Sequence, residues 1–156
     1  MKKVRFWTVF FEILSFLMLI LTIVFFARSY EALPVRLPRG DAEALLGARI
    51  SICLLFSVGF VVYGLLFALK RFPRLMSYPV RITPENMDYQ ARIGKLMLSI
   101  LTFCCMSMIF TILYDIYQGA VQQAAGHIWL LAGLLGISVA DVAVYTAIAK
   151  LKEKNT

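Results

Sequence analysis

The stretch FWTVFFEILSFLMLILTIVFF, residues 6 to 26, carries a single charge, Glu12, in twenty-one positions. As a helix rising 1.5 Å per residue it reaches about 30 Å, the thickness of a bilayer's hydrocarbon core. In lipid every backbone N–H and C=O must be satisfied internally, and a helix does this within one segment. Lys2, Lys3 and Arg5 ahead of the block also suit the positive start of a signal peptide. The apolar run is longer than a usual signal core, however, and no small-x-small cleavage site follows it. The segment therefore reads as a retained transmembrane helix.

Three further blocks repeat the pattern. Ile50 to Leu69 is stopped by Lys70, Arg71, Pro73 and Arg74; Leu96 to about Ile116 and Ile128 to Ala149 follow. Between the first two lie Pro34, Pro38 and Gly40 as breakers, then Asp41, placed to cap a helix through Ala42, Glu43 and Leu45 that leads into the second block. Thr83, Pro84 and Glu85 read as N-cap, first helical position and a dipole-favoured acid, so the third helix is expected to start near Pro84. Asp88 and Arg92 stand four apart and can pair on one face of it. The expected architecture is all-α: an integral membrane four-helix bundle in one domain, residues 1–156. Its helices fall at about 6–26, 50–69, 84–116 and 128–149, with an outer loop over 27–49 and a cytoplasmic loop over 70–83.

Composition agrees with this and excludes other classes. Of 156 residues, 61% are hydrophobic and only 16% charged, against roughly 45–50% and 25% in soluble domains. A soluble globule of this length lacks the interior to hide so much apolar surface. The net charge of +7 comes from bases at the ends of the apolar blocks rather than from a basic patch interleaved with aromatics, so nucleic acid is not an expected partner. The bases also set the orientation. The N-terminus, the 70–95 segment and the tail carry three, six and three Lys or Arg, the first loop four and the 117–127 loop none. The excess belongs on the cytoplasmic side, so both termini are expected there. No internal repeat of the inverted-transporter kind is present.

Charged and polar residues inside the blocks are the candidate site, because a charge at mid-bilayer costs roughly 2.5–3.5 kcal/mol by insertion scales. Glu12 lies about 9 Å and Asp141 about 12 Å from the cytoplasmic ends of their helices, and Tyr63 and Thr102 fall at the same level. Tyr145 is one turn from Asp141. One layer holding Glu12, Tyr63, Thr102, Asp141 and Tyr145, with no base read beside the acids, suits a proton, a cation or a hydrogen-bonded ligand. The same residues also suit a ligand-free hydrogen-bonded clamp between the first and fourth helices. At the outer ends, Asp115 and His127 form a second polar pair. Two strong ligands fall short of a metal site, and solvated polar residues at the boundary are the simpler reading, with Tyr114, Tyr117 and Trp129 as aromatic belt.

Catalytic chemistry is not visible. Cys53, Cys104 and Cys105 include no Cys-x-x-Cys, and adjacent cysteines on a helix point about 100° apart. No Ser–His–acid set, glycine-rich phosphate loop or His-Glu-x-x-His segment occurs. A lipid-modifying enzyme is thus a distant third reading, and no cofactor or metal is expected. Gly59, Gly64, Gly133 and Gly136 suit close helix approach or a homo-oligomer.

Tyr78-Pro79-Val80-Arg81-Ile82-Thr83-Pro84-Glu85-Asn86, with Gln90 and an apolar helix after it, and Leu33-Pro34-Val35-Arg36-Leu37-Pro38 before the second block resemble a family of small bacterial membrane proteins of unknown function. That domain also forms the N-terminal part of SdpI-like immunity proteins, which protect cells against a secreted toxic peptide. The resemblance spans roughly residues 6 to 116. The chain departs from the family's His-Phe-Asn continuation after the second proline, having Arg39-Gly40-Asp41 in a shorter loop. The resemblance implies a helical bundle in a bacterial plasma membrane, permits an immunity or signalling role and names no catalytic residue. The leading expectation is a non-enzymatic membrane protein of this kind that binds a peptide or protein partner through the 27–49 loop. A proton-coupled small transporter, oligomeric and exchanging protons at Glu12 and Asp141, is the alternative.

Overall fold

The computed structural model describes residues 2–32, 42–72, 79, 86–122 and 126–154. Four helices account for nearly all of them: α1 (Lys2–Ala32), α2 (Ala42–Arg71), α3 (Met87–Gln122) and α4 (Ile128–Lys154). Each is long and apolar enough to cross a membrane, as a multi-pass membrane protein requires, and the described residues form an all-α fold. The helices run beyond the apolar blocks that seed them. The 31 residues of α1 span about 46 Å, since no proline interrupts Lys2–Ala32 and the flanking polar residues continue the same hydrogen-bond ladder. The segment 42–49 forms the first two turns of α2, leading into the second block as expected. The caps read at Asp41 and at Thr83–Glu85, and the loop segments 33–41 and 80–85 with the proline motifs they carry, lie outside the described residues.

α3 is the central element. It packs against α1, α2 and α4, whereas α1 and α2 touch each other far less. From Ile93 to Gln118 no residue of α3 is exposed. The core forms where Leu19 of α1 and Ile52 of α2 close on Met106, Ile109 and Leu113 of α3. Aromatic contacts extend it: Phe26 stacks on Phe56 at 4.2 Å, and Phe25 meets Phe110 and Tyr117 edge-on at 5.4 and 5.7 Å.

Small residues allow these approaches. Ser15, Thr22, Ser99, Thr102 and Cys104 are among the most fully buried side chains. Their hydroxyls do not cross between helices. Thr22 donates to Met18 O, Ser99 to Lys95 O, and Thr102 to Leu98 O at 2.5 Å, the i−4 back-bond that satisfies a hydroxyl within its own helix. Gly59 lies against Ile109, while Gly64, Gly133 and Gly136 face open space. Large apolar side chains such as Phe6, Ile13, Leu54 and Val139 cover the outward faces of α1, α2 and α4, as a hydrocarbon solvent requires.

Candidate functional site

The polar residues read as one layer separate into two sites on opposite sides of α3. Glu12 lines a cleft formed by the start of α1, the end of α2 and the start of α3, with Tyr63, Phe67, Lys70, Arg71 and Lys95. Tyr63, Phe67 and Lys70 share this cleft because they follow one another by four and three residues, a single stripe of α2. Glu12 therefore shares a cleft with three bases, and its carboxylate acts electrostatically on both Tyr63 and Lys70. This corrects the reading of acids with no base beside them. Lys70 and Lys95 were legible as bases at the ends of apolar blocks, but the i, i+4, i+7 stripe that carries Lys70 back toward Tyr63 was the signal that placed it.

Asp141 faces the other way. Along α4, Leu131, Leu134, Ser138, Asp141, Tyr145 and Ala149 are covered positions, spaced by three or four in the seam pattern of packed helices. Ser138 and Asp141 are the polar neighbours of the Cys104 thiol on α3. Cys104 is nine residues beyond Lys95, which turns it about 180° around α3. The cleft of Glu12 and the seam of Asp141 are thus separated by the body of the central helix. The clamp between the first and fourth helices does not form, because α4 packs on α3. Oδ2 of Asp141 is buried with no hydrogen-bond partner among the described residues. Tyr145 is buried beside it in the seam. Thr102, fully buried, has already donated its hydroxyl to its own helix.

At the opposite end of the bundle the structure brings Asp115 and His127 together. Their twelve-residue separation closes into a double contact: the His127 backbone N–H donates to Asp115 Oδ2 at 2.9 Å, and ring Nδ1 lies 2.5 Å from Oδ1. Gly126 fits because a Cβ there would stand 3.3 Å from Oδ2. The His127 ring packs 5.6 Å from Tyr114, whose hydroxyl accepts from Gln118 Nε2 at 2.7 Å. With both carboxylate oxygens engaged, Asp115 braces the start of α4 against the end of α3. At the same end, Arg49 sits 5.5 Å over the ring of Tyr30, which in turn packs on Phe26. The result is an aromatic rim contributed by α1, α2 and α3.

The three cysteines are unbridged; Cys104 is buried, and Cys53 and Cys105 are half-buried. Among the described residues no group of three or more His, Cys, Asp or Glu is placed to hold a metal ion. No protein-family model matches the chain, and neither a curated protein nor a solved structure is similar to it.

Proposed function

We propose that the chain is a non-enzymatic, multi-pass protein of a bacterial plasma membrane, with both termini cytoplasmic, that binds a membrane-active peptide at its outer end in the manner of the immunity proteins its motifs resemble. The aromatic rim carries this reading. Tyr30 under Arg49, Phe26 on Phe56 and the Phe25–Tyr117 pair form a surface with apolar faces and polar tips, the chemistry that suits an amphipathic peptide lying at a membrane boundary. The Asp115–His127 brace holds the neighbouring end of the bundle rigid, so little ordering is required on binding.

The transport alternative would need Glu12 and Asp141 on one pathway, and their separation across α3 leaves it without that support. The base count is the ground for the orientation.

The test is protection. Cells expressing the chain are exposed to a membrane-active peptide, with protein in the membrane confirmed by immunoblot. Protection that is lost in Tyr30→Ala and Arg49→Ala at equal membrane levels supports the proposal. Unchanged sensitivity with the protein present would overturn it.

A further inference from the structure

A cleft around Glu12 is lined wholly by described residues, and the outer-end reading makes no use of it. It has two abutting lobes that share Glu12, Phe67 and Lys70. One, of about 230 Å³, adds Arg71 and Lys95. The other, of about 310 Å³, adds Ile13, Phe16 and Tyr63. Their chemistries differ. The first places three cations around one acid, and the second is walled by aromatic and aliphatic side chains.

Two features point to a ligand. Lys70 is only 7% exposed, yet it lines both lobes of this cleft. Among the described residues, no carboxylate comes within 4.0 Å of the Lys70, Arg71 or Lys95 nitrogens; the ion pairs formed are Asp88–Arg92 and Asp115–His127. An excess of two positive charges gathered between helices calls for an anion. The apolar lobe says which kind. Ile13, Phe16 and Phe67 line it while remaining 61, 55 and 56% exposed on the outward faces of α1 and α2. The lobe is therefore continuous with the hydrocarbon-facing surface, and a small soluble anion would leave it unused.

We propose that this cleft binds one anionic phospholipid whose headgroup carries a free hydroxyl. Lys70, Arg71 and Lys95 hold the phosphodiester. An acyl chain runs along Phe67, Phe16 and Ile13, and the Glu12 carboxylate accepts a hydrogen bond from the headgroup hydroxyl. Glu12 thereby selects a hydroxylated headgroup over a bare phosphate monoester, which would meet it with like charge. This site is at the opposite end from the aromatic rim and stands or falls independently of it.

The experiment uses the full chain in a zwitterionic detergent, titrated with phosphatidylglycerol, phosphatidylcholine, phosphatidic acid of the same chains, or inorganic phosphate. Thermal stability and native mass spectrometry provide the readouts. Phosphatidylglycerol is expected to raise the melting temperature and to survive as a one-to-one complex, with phosphatidylcholine and inorganic phosphate giving neither. Lys70→Gln and Lys95→Gln should each weaken phosphatidylglycerol about fivefold, as about 1 kcal/mol per base at a membrane surface implies. Lys150→Gln, an exposed position on the far helix, should leave it unchanged. Glu12→Gln should remove the preference for phosphatidylglycerol over phosphatidic acid while retaining binding. Equal stabilisation by inorganic phosphate or by phosphatidylcholine, equal weakening by Lys150→Gln, or an unaltered headgroup preference in Glu12→Gln would each overturn the assignment. Because Lys95 is only half-buried, its variant tests the site even where loss of Lys70 disturbs folding.

Discussion

Gly59 of α2 lies against Ile109 of α3 with no room for a side chain at ordinary contact distance. A Cβ there would stand 3.0 Å from Ile109 Cγ2 and 3.2 Å from Cδ1, where carbon atoms prefer roughly 3.5–4.0 Å. The shortfall for alanine is about half an ångström, and the methyl ends of Ile109 can yield that much. Gly59→Ala should therefore fall within about 1 kcal/mol of wild type, since helix propensity gains roughly 0.5–1 kcal/mol in return. Gly59→Leu pushes three more carbons into a filled interface and should cost about 1–3 kcal/mol. The decisive measurement is a cycle with Ile109→Ala, which alone costs about 2 kcal/mol or more by opening a cavity. In the double variant the leucine occupies the vacated space, so the two costs should fall short of additive by about 1–2 kcal/mol. Unfolding midpoints in mixed dodecyl maltoside and SDS micelles supply the numbers. A Gly59→Leu protein as stable as wild type, or strict additivity in the cycle, would show that α2 and α3 do not meet here as described.

Three further outcomes are expected. Asp115→Ala removes both contacts to His127 and should lower stability by about 1–2 kcal/mol, discounted for the half-exposed imidazole; Asp115→Asn, which keeps an acceptor for the His127 N–H, should cost about half as much in the same unfolding assay. Asp141→Leu replaces a seam carboxylate whose Oδ2 lacks a partner among the described residues and should raise the unfolding midpoint by the equivalent of about 1–2 kcal/mol; a drop would mean that the carboxylate is a bonded member of the seam. Gln90 is 1% exposed with neither amide atom hydrogen-bonded among the described residues, so Gln90→Leu should be neutral or stabilising by about 1 kcal/mol, read as a change in thermal midpoint in detergent.

The four long helices were legible because a run of some twenty apolar residues has one stable solution in lipid, and Pro34 and Pro73 follow the ends of the first two, whereas no proline separates the third run from the fourth. Depth along each helix was legible too, since the rise per residue is fixed. Rotation about the axis was not. Glu12, Tyr63, Thr102 and Asp141 were placed at one level from distances to helix ends, but nothing in those distances says which neighbour each residue faces. The central place of α3 then assigned Glu12 and Asp141 to opposite sides of it. Part of that was recoverable: Ser138, Asp141 and Tyr145 stand three and four apart, a seam pattern that marks a helix–helix contact rather than a shared chamber. The Asp115–His127 meeting was easier to foresee, because about ten residues between two antiparallel helix ends leave little freedom. The aromatic contacts and the Lys70 cleft depend on side-chain direction, which periodicity alone does not give.

The scarcity of direct contact between α1 and α2 has a bearing on how the protein comes to exist. As the chain leaves the ribosome, its first two helices can meet chiefly through the Phe26–Phe56 stack and the Arg49–Tyr30 contact, and the bundle closes only when the third follows. Everything then gathers on that late arrival, and α4 joins last along the one flank still free. A chain cut within 123–127 should keep its first three spans assembled, whereas one cut at 72 should yield two helices drifting separately in the membrane. Damage is sorted in the same way: a fault in α4 stays local, and a fault in α3 dismantles the whole.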